Sequence, residues 1–554
     1  MAKEVRIEKR RDNRNILSRT IGKVIQKAKD YSSALTNTIA LVFKYNAGKD
    51  LNAFHHLLED RFRALPIDQT KILDVPVISP SLNPPRLVQR VVAIGNPYVL
   101  LEIEKLPCAQ SFKKWYEDNP EKPPIKRGRA FSSILEAIGM GILTEDQKIH
   151  DDFLDQMHSL QFSGVKDPKH PNHQFQTNFL EVIKKETDDL IETIKARSGN
   201  NEAIELDFLV FSLKIFLKSF YPKSDWSDEN WINQLARQIE NVSHEAFKNI
   251  MDPYGNIQSL RALAAKHLDP FIDKILEDEE PAYLSADYVK RTSRDIKKQI
   301  IIALLFAGGD NIRRLIEHGL VKFGQDEIYQ KYFSKGVTPS DLQTYVKELE
   351  RLITIIYAQP GEAEEDFVIE FEGEEFFVKE GDQLHYTTWI ATTDEKEWGE
   401  HAREYNPEAN KDKHKELKAD LTFGANRRRC RGNIVTHEII HELFMRILNE
   451  FEIESFVNGQ KGIHPMKKDF NNEVDGPVTI RYTPKATQTL EVEKVDVNPE
   501  EQPNTENTSK VKDCYRGLAE KGFISQLNKT ELPEVVQAMD VAFEPETEGF
   551  LTMT

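Results

Sequence analysis

The sequence predicts a mainly α-helical protein with a small β region. Three observations carry that expectation. Helical apolar spacing dominates residues 131–355, with short polar breaks, and returns over residues 433–450. Alternating apolar positions with glycine turns, as in "EDFVIEFEGEEFFVKEGDQLHY", make short strands at 365–390, and "GPVTIRYTPK" at 476–485 reads as one more.

In chain order, residues 1–64 read as a helical lead-in of mixed charge. Residues 65–486 form the main domain. Within it, two apolar runs flank Gly95-Asn96-Pro97, which reads as a hairpin turn. "TPSDLQTYVKELERLITIIY" predicts a helix starting at Ser340. From 487 the chain is acidic and poor in large apolar residues, which predicts a linker and tail, 487–554, with a short helical pattern at 512–542. No internal repeat is present.

A chain of 554 residues with 39% hydrophobic content can bury a large core. The net charge of −17 argues against nucleic acid as a partner, so any basic patch is local. Three cysteines, Cys108, Cys430 and Cys514, make no disulfide framework and suggest a reducing compartment. No apolar run approaches the ~18 residues of a membrane span, and the charged start lacks the apolar stretch of a secretory signal. The expected location is cytoplasmic.

Residues 426–444, "NRRRCRGNIVTHEIIHELF", hold two competing site patterns. His437-Glu438-Ile439-Ile440-His441 fits HExxH, which sets two imidazoles one helical turn apart for zinc and a glutamate to activate water. A zinc metallohydrolase would need a third ligand. Glu473 is the available one, in a segment that lies among turns. The plainer reading is an amphipathic helix whose apolar arc is Val435, Ile439, Ile440, Leu443, Phe444, Ile447 and Leu448, with the histidines at its border. The second pattern is Cys430 among Arg427, Arg428, Arg429 and Arg431, just before a helix. Those charges and the helix start favour a thiolate, which is the metal-binding form of cysteine. A buried structural cysteine beside a solvated arginine cluster fits the loop as well.

Phe423, Gly424, Arg428, Cys430 and Gly432 match the FGxGxRxCxG haem loop of the cytochrome P-450 family, and the chain is read as a divergent member of it. Asn426 replaces the middle glycine and is the residue that next best tolerates a left-handed backbone. Two upstream segments resemble the family in order and spacing. Ala307-Gly308-Gly309-Asp310 resembles its central helix motif, and Glu348-Leu349-Glu350-Arg351 its ExxR pair. The resemblance covers roughly 65–486. It implies the triangular, mainly helical P-450-type fold and one haem b, with Cys430 as the proximal iron ligand.

The same resemblance implies the other roles. Asp310 and Asn311 are expected on the catalytic, distal side. Ala307 and Gly308 are expected to floor an apolar substrate pocket, the glycines allowing close approach of the porphyrin. Phe423 is expected beside the cofactor, and Arg428 and His150 are expected to contact its propionates. Glu348 and Arg351 are expected to be structural. The implied activity is monooxygenation of an apolar small molecule. A ferredoxin or flavoprotein would donate the electrons and dock at Arg427, Arg429 and Arg431.

Three departures qualify this. Asn311 and Ile312 stand where the family has Thr-Thr, which raises a donor-independent hydroperoxide isomerase or peroxygenase as the alternative. Ala409 follows Pro407-Glu408 where the family has an arginine, so the ExxR pair needs another partner. Leu154 stands where an arginine would assist His150. A haem-binding protein without oxidative activity is the non-enzymatic reading.

Overall fold

The computed structural model describes residues 4–9, single positions within 33–44, then 53–77, 89–106, 125–127, 134–143, 171–198, 202–248, 257–277, most of 281–356, 359–416, 421–424, 429–467 and 473–485. Nearly all of these belong to one compact unit, Met1–Gln161 with Phe175–Lys485. The unit is mainly α-helical with a small β region, as the periodicity predicts. The tail, with its helical pattern at 512–542, lies outside the described residues.

The helical body has the Arg294–Leu304 helix, a π-helical turn Leu305–Asp310 and the Asn311–Phe323 helix in unbroken succession. The Phe208–Phe220 helix packs along it, so apolar that eleven of its side chains are buried. The Pro339–Ile353 and Asn433–Glu450 helices pack against its C-terminal part. All seven residues of the expected apolar arc on Asn433–Glu450 are buried. Where this helix meets Asn311–Phe323, Gly319 gives the Phe444 ring its place. Phe444 is fully buried and meets Phe323 edge-on at 5.2 Å.

The β region is built by antiparallel pairing with one parallel contact. A five-stranded sheet runs in the order Ile72–Val77, Gln89–Ile94, Gln383–Tyr386, Gln359–Ala363, Ile125–Arg127. Gln89–Ile94 and Gln383–Tyr386 are its parallel pair. A second sheet joins Phe451–Val457 to the closing strand Val478–Pro484.

Three local expectations are corrected. Gly95-Asn96-Pro97 does not close a hairpin. It turns the Gln89–Ile94 strand into the Pro97–Glu104 helix: the Asn96 side chain accepts from the amides of Tyr98 (3.0 Å) and Val99 (3.1 Å), and Pro97 takes the first helical position. Asn followed by Pro is a helix start as much as a turn. The lead-in is not wholly helical. Val5–Lys9 is a strand paired with Phe367–Phe371, burying Ile7, and only its five-residue alternation announces this. The ExxR helix begins at Pro339 with Thr338 as its cap, one residue before the expected Ser340.

Gly319→Ala is expected to destabilise the protein. Its new methyl overlaps a ring with no room to retreat, which costs about 1–3 kcal/mol, against a helix-propensity gain of at most about 1 kcal/mol. Urea unfolding should show a lower midpoint, partly restored by adding Phe444→Leu.

Candidate functional site

The central helix is buried on all sides except along one stripe. From Ile300 to Val321, the residues that keep solvent access are Leu304, Ala307, Gly308, Asn311 and Glu317, and Ala307 is exposed. The first four recur at the spacing of one helix face. A stripe of small and apolar side chains thus stays accessible in the middle of a core helix, at a π turn, and π turns gather at functional sites. The glycines have a packing reason. A β-carbon on Gly308 would overlap the Phe216 ring, and one on Gly309 would press on Leu213 at 3.1 Å. They admit the Phe208–Phe220 helix. Phe216 is itself fixed edge-on to Phe220 at 5.0 Å.

Asp310 does not join that stripe. It is 2% exposed. Arg313 donates to Oδ1 at 2.7 Å, Arg314 to Oδ2 at 3.1 Å, and Ser243 to Oδ2 at 3.2 Å. Burial pushes its pKa up, but the charges of Arg314 and Arg313 outweigh burial and hold the carboxyl at about 2. Arg313 also pairs with Glu317 at 3.1 Å, and both arginines reach Glu473, at 3.5 and 3.4 Å. Glu473, the candidate third zinc ligand, is therefore committed to arginines.

Glu348 and Arg351 form a buried pair, 0% and 2% exposed, joined by two hydrogen bonds of 2.8 and 2.9 Å. Arg351 also donates to the carbonyls of Thr392 (2.7 Å), Glu404 (3.1 Å) and Ala402, and lies 4.7 Å over the Trp398 ring. Glu348 accepts from the Asn406 amide (3.0 Å) and Asn410 Nδ2 (2.8 Å) and faces His414 Nε2 at 3.0 Å. The partner that the missing arginine left open is thus His414, assisted by Asn410, both on the Pro407–Glu416 helix. Sequence reasoning missed both. The available signal was an imidazole one helical face beyond the departure at Ala409.

The Cys430 loop is tight. The Cys430 amide donates to the Phe423 carbonyl at 2.7 Å, and Gly424 takes the left-handed φ of +71° that this turn requires. Cys430 is exposed, and its sulfur lies 3.7 Å from where Gly432 would carry a β-carbon. Gly432 precedes the first turn of Asn433–Glu450 and supplies no side-chain cap. An uncapped helix start and arginine neighbours favour a thiolate here. Phe423 meets the His437 ring edge-on at 5.4 Å, and His437 Nε2 is 2.8 Å from Glu350 Oε1. His441 stacks on His437 at 5.7 Å, and burial first, then the His437 charge, lowers its pKa to about 4.

HExxH therefore reads as a helix border whose first histidine is spent on Glu350. Among the described residues no three His, Cys, Asp or Glu side chains gather as a metal site. His150, Leu154, Arg427 and Arg428 lie outside the described residues. Arg429 is exposed and Arg431 half-buried. The donor set of one exposed cysteine at a helix start, with a separate accessible apolar stripe, fits haem ligated by thiolate better than zinc, which wants three or four protein ligands.

Residues 342–471 match the cytochrome P450 family model. The chain is also 21% identical over 276 residues to cytochrome P450 83A1 of Arabidopsis thaliana, covering 45% of this chain and 52% of that protein. It spans about half the length of the curated relative it matches. Over these residues the chain is thus similar to the cytochrome P450 family. Among the described residues no helix is long and apolar enough to cross a membrane.

Two outcomes test the buried pair. Burial raises the pKa of Glu348, but its hydrogen bonds with Arg351 and His414 hold it down, from 4.5 to about 2. A depressed carboxyl stabilises the fold fully above pH 4.5 and loses that contribution as pH falls toward 2. Unfolding free energy measured across that window should fall less steeply in Glu348→Gln, although that variant starts lower. His414→Ala should cost about 1–3 kcal/mol at neutral pH, read from urea unfolding, because a buried carboxylate loses a partner.

Proposed function

We propose that the chain is a haem-thiolate oxidoreductase acting on an apolar small molecule, and that its reaction is monooxygenation. The observation that carries the reading is the pairing of an exposed Cys430 at an uncapped helix start with the accessible stripe Leu304, Ala307, Gly308 and Asn311. Cys430 would hold the iron of a haem b, and Phe423 would pack beside it. His150 and Arg428 are the candidates for its propionates. Bound there, the haem would supply oxygen activation, which a thiolate ligand promotes. Leu304 and Ala307 would bind the substrate by apolar contact and keep water from it. Electrons would come from a ferredoxin or flavoprotein, with the arginines around Cys430 as its docking patch. The site of action is proposed as cytoplasmic.

Asn311 and Asp310 favour a second reading, a hydroperoxide isomerase or peroxygenase that needs no electron donor. A carboxyl held at about 2 and claimed by two arginines is a poor proton donor at neutral pH. Asn311 is the polar residue of the accessible stripe, and an amide can hydrogen-bond a peroxide oxygen without passing protons on.

The reduced, CO-treated absorption spectrum of the purified chain tests the shared core of both readings. A thiolate-type band is expected, and Cys430→Ser should abolish it; an unchanged spectrum in that variant removes the assignment. Turnover of a fatty-acid hydroperoxide without reductant, against turnover of an apolar substrate with an electron donor, then separates the two.

A further inference from the structure

We propose that Glu350 and His437 form a strut that positions the Cys430 loop, so that His437 is a positioning residue for the iron ligand. The inference rests on the haem-thiolate reading. It concerns Glu350, an unassigned position within the ExxR segment, and His437, the first histidine of the HExxH segment.

Glu350 sits between the ExxR partners in sequence and is 1% exposed. A carboxylate so buried is sustained only by a committed partner. That partner is His437, one helical turn into the Asn433–Glu450 helix that follows Cys430, with Nε2 at 2.8 Å from Oε1. From this pair two contacts reach the loop. The backbone carbonyl of Glu350 accepts from Thr422 Oγ1 at 3.2 Å. The His437 ring meets Phe423 edge-on, at 5.4 Å and 85° between planes. Thr422 is thereby tied to the Pro339–Ile353 helix by its hydroxyl, and Phe423 to the Asn433–Glu450 helix by its ring against His437. The Phe423 carbonyl then takes the Cys430 amide at 2.7 Å. The path Glu350, His437, Phe423, Cys430 thus fixes the backbone from which the sulfur projects. His441, one turn further on, stacks on the His437 ring, which makes it the natural comparison.

Groups behind a metal ligand fix its orientation, and their loss is felt in metal retention. The full-length chain, loaded with haem, is compared as wild type, His437→Ala, His437→Gln, Glu350→Gln and His441→Ala. Two readouts other than turnover are used: the rate of haem transfer to an excess of apoglobin, and the alkylation rate of Cys430 in haem-free chain, located by peptide mapping. His437→Ala is expected to lose haem roughly ten- to hundredfold faster than wild type. Its Cys430 should alkylate several-fold faster. His437→Gln keeps an N–H for Glu350 and should recover part of each loss, whereas His441→Ala should stay near wild type.

The strut is overturned if His437→Ala, folded by circular dichroism, matches wild type in both readouts, or if His441→Ala does equal damage. Should His437→Ala fail to fold, Glu350→Gln decides, because it removes the charge with little change of shape; wild-type behaviour there overturns the strut. A wild-type chain that takes up no haem would end the proposed function, while Cys430 alkylation would still judge the strut.

Discussion

The buried Glu348–Arg351 pair holds the most of this structure together. Two ions with almost no solvent exposure are tolerable only when every charge is answered. Here they are answered by three carbonyls, an amide, an asparagine and a histidine, all drawn from residues 392–414. That whole irregular segment is therefore threaded onto one helix. Glu350, the next residue but one, extends the same helix toward the Cys430 loop. A single helix thus organises both the segment before the loop and the loop itself.

His414 and Asn410 satisfy the pair where the sequence resemblance leads one to expect an arginine. An arginine answers a carboxylate with a fixed fork of donors, whereas His414 and Asn410 answer from adjacent turns of a short helix. The departure at Ala409 is compensated within two turns, so the divergence is local. The central helix shows the same economy. Its acidic residue is kept, yet Arg313 and Arg314 from its own next turn claim it, and Glu473 draws the neighbouring two-stranded hairpin into the cluster.

How much of this the sequence disclosed varies with the range of the interaction. The long periodic helices, the strands of 365–390 and the closing strand were legible because a repeated spacing states which face is buried. So were the Cys430 loop and the ExxR pair, whose residues lie close together in the chain. The Val5–Lys9 strand was not, because its partner lies some 360 residues away and five residues carry little pattern. The Pro97–Glu104 helix was hidden by an ambiguous Asn-Pro. The glycines at 308 and 309 were noticed, but the packing of Phe216 and Leu213 against them is visible only once the helices meet. His414 and the Glu350–His437 contact were missed for the same reason: each joins residues more than sixty positions apart.

The parallel pairing of Gln89–Ile94 with Gln383–Tyr386, and the antiparallel pairing of Val5–Lys9 with Phe367–Phe371, have a consequence for the chain as it is made. A ribosome adding roughly 5–20 residues per second needs about 15–70 s to travel from one partner to the other. Through that interval the early strand edges emerge with their hydrogen-bonding groups unclaimed. The charged side chains at Arg6, Glu8, Arg90 and Asp74 stand along those edges and discourage them from joining a neighbouring nascent chain. Strands made late complete sheets that much earlier strands begin.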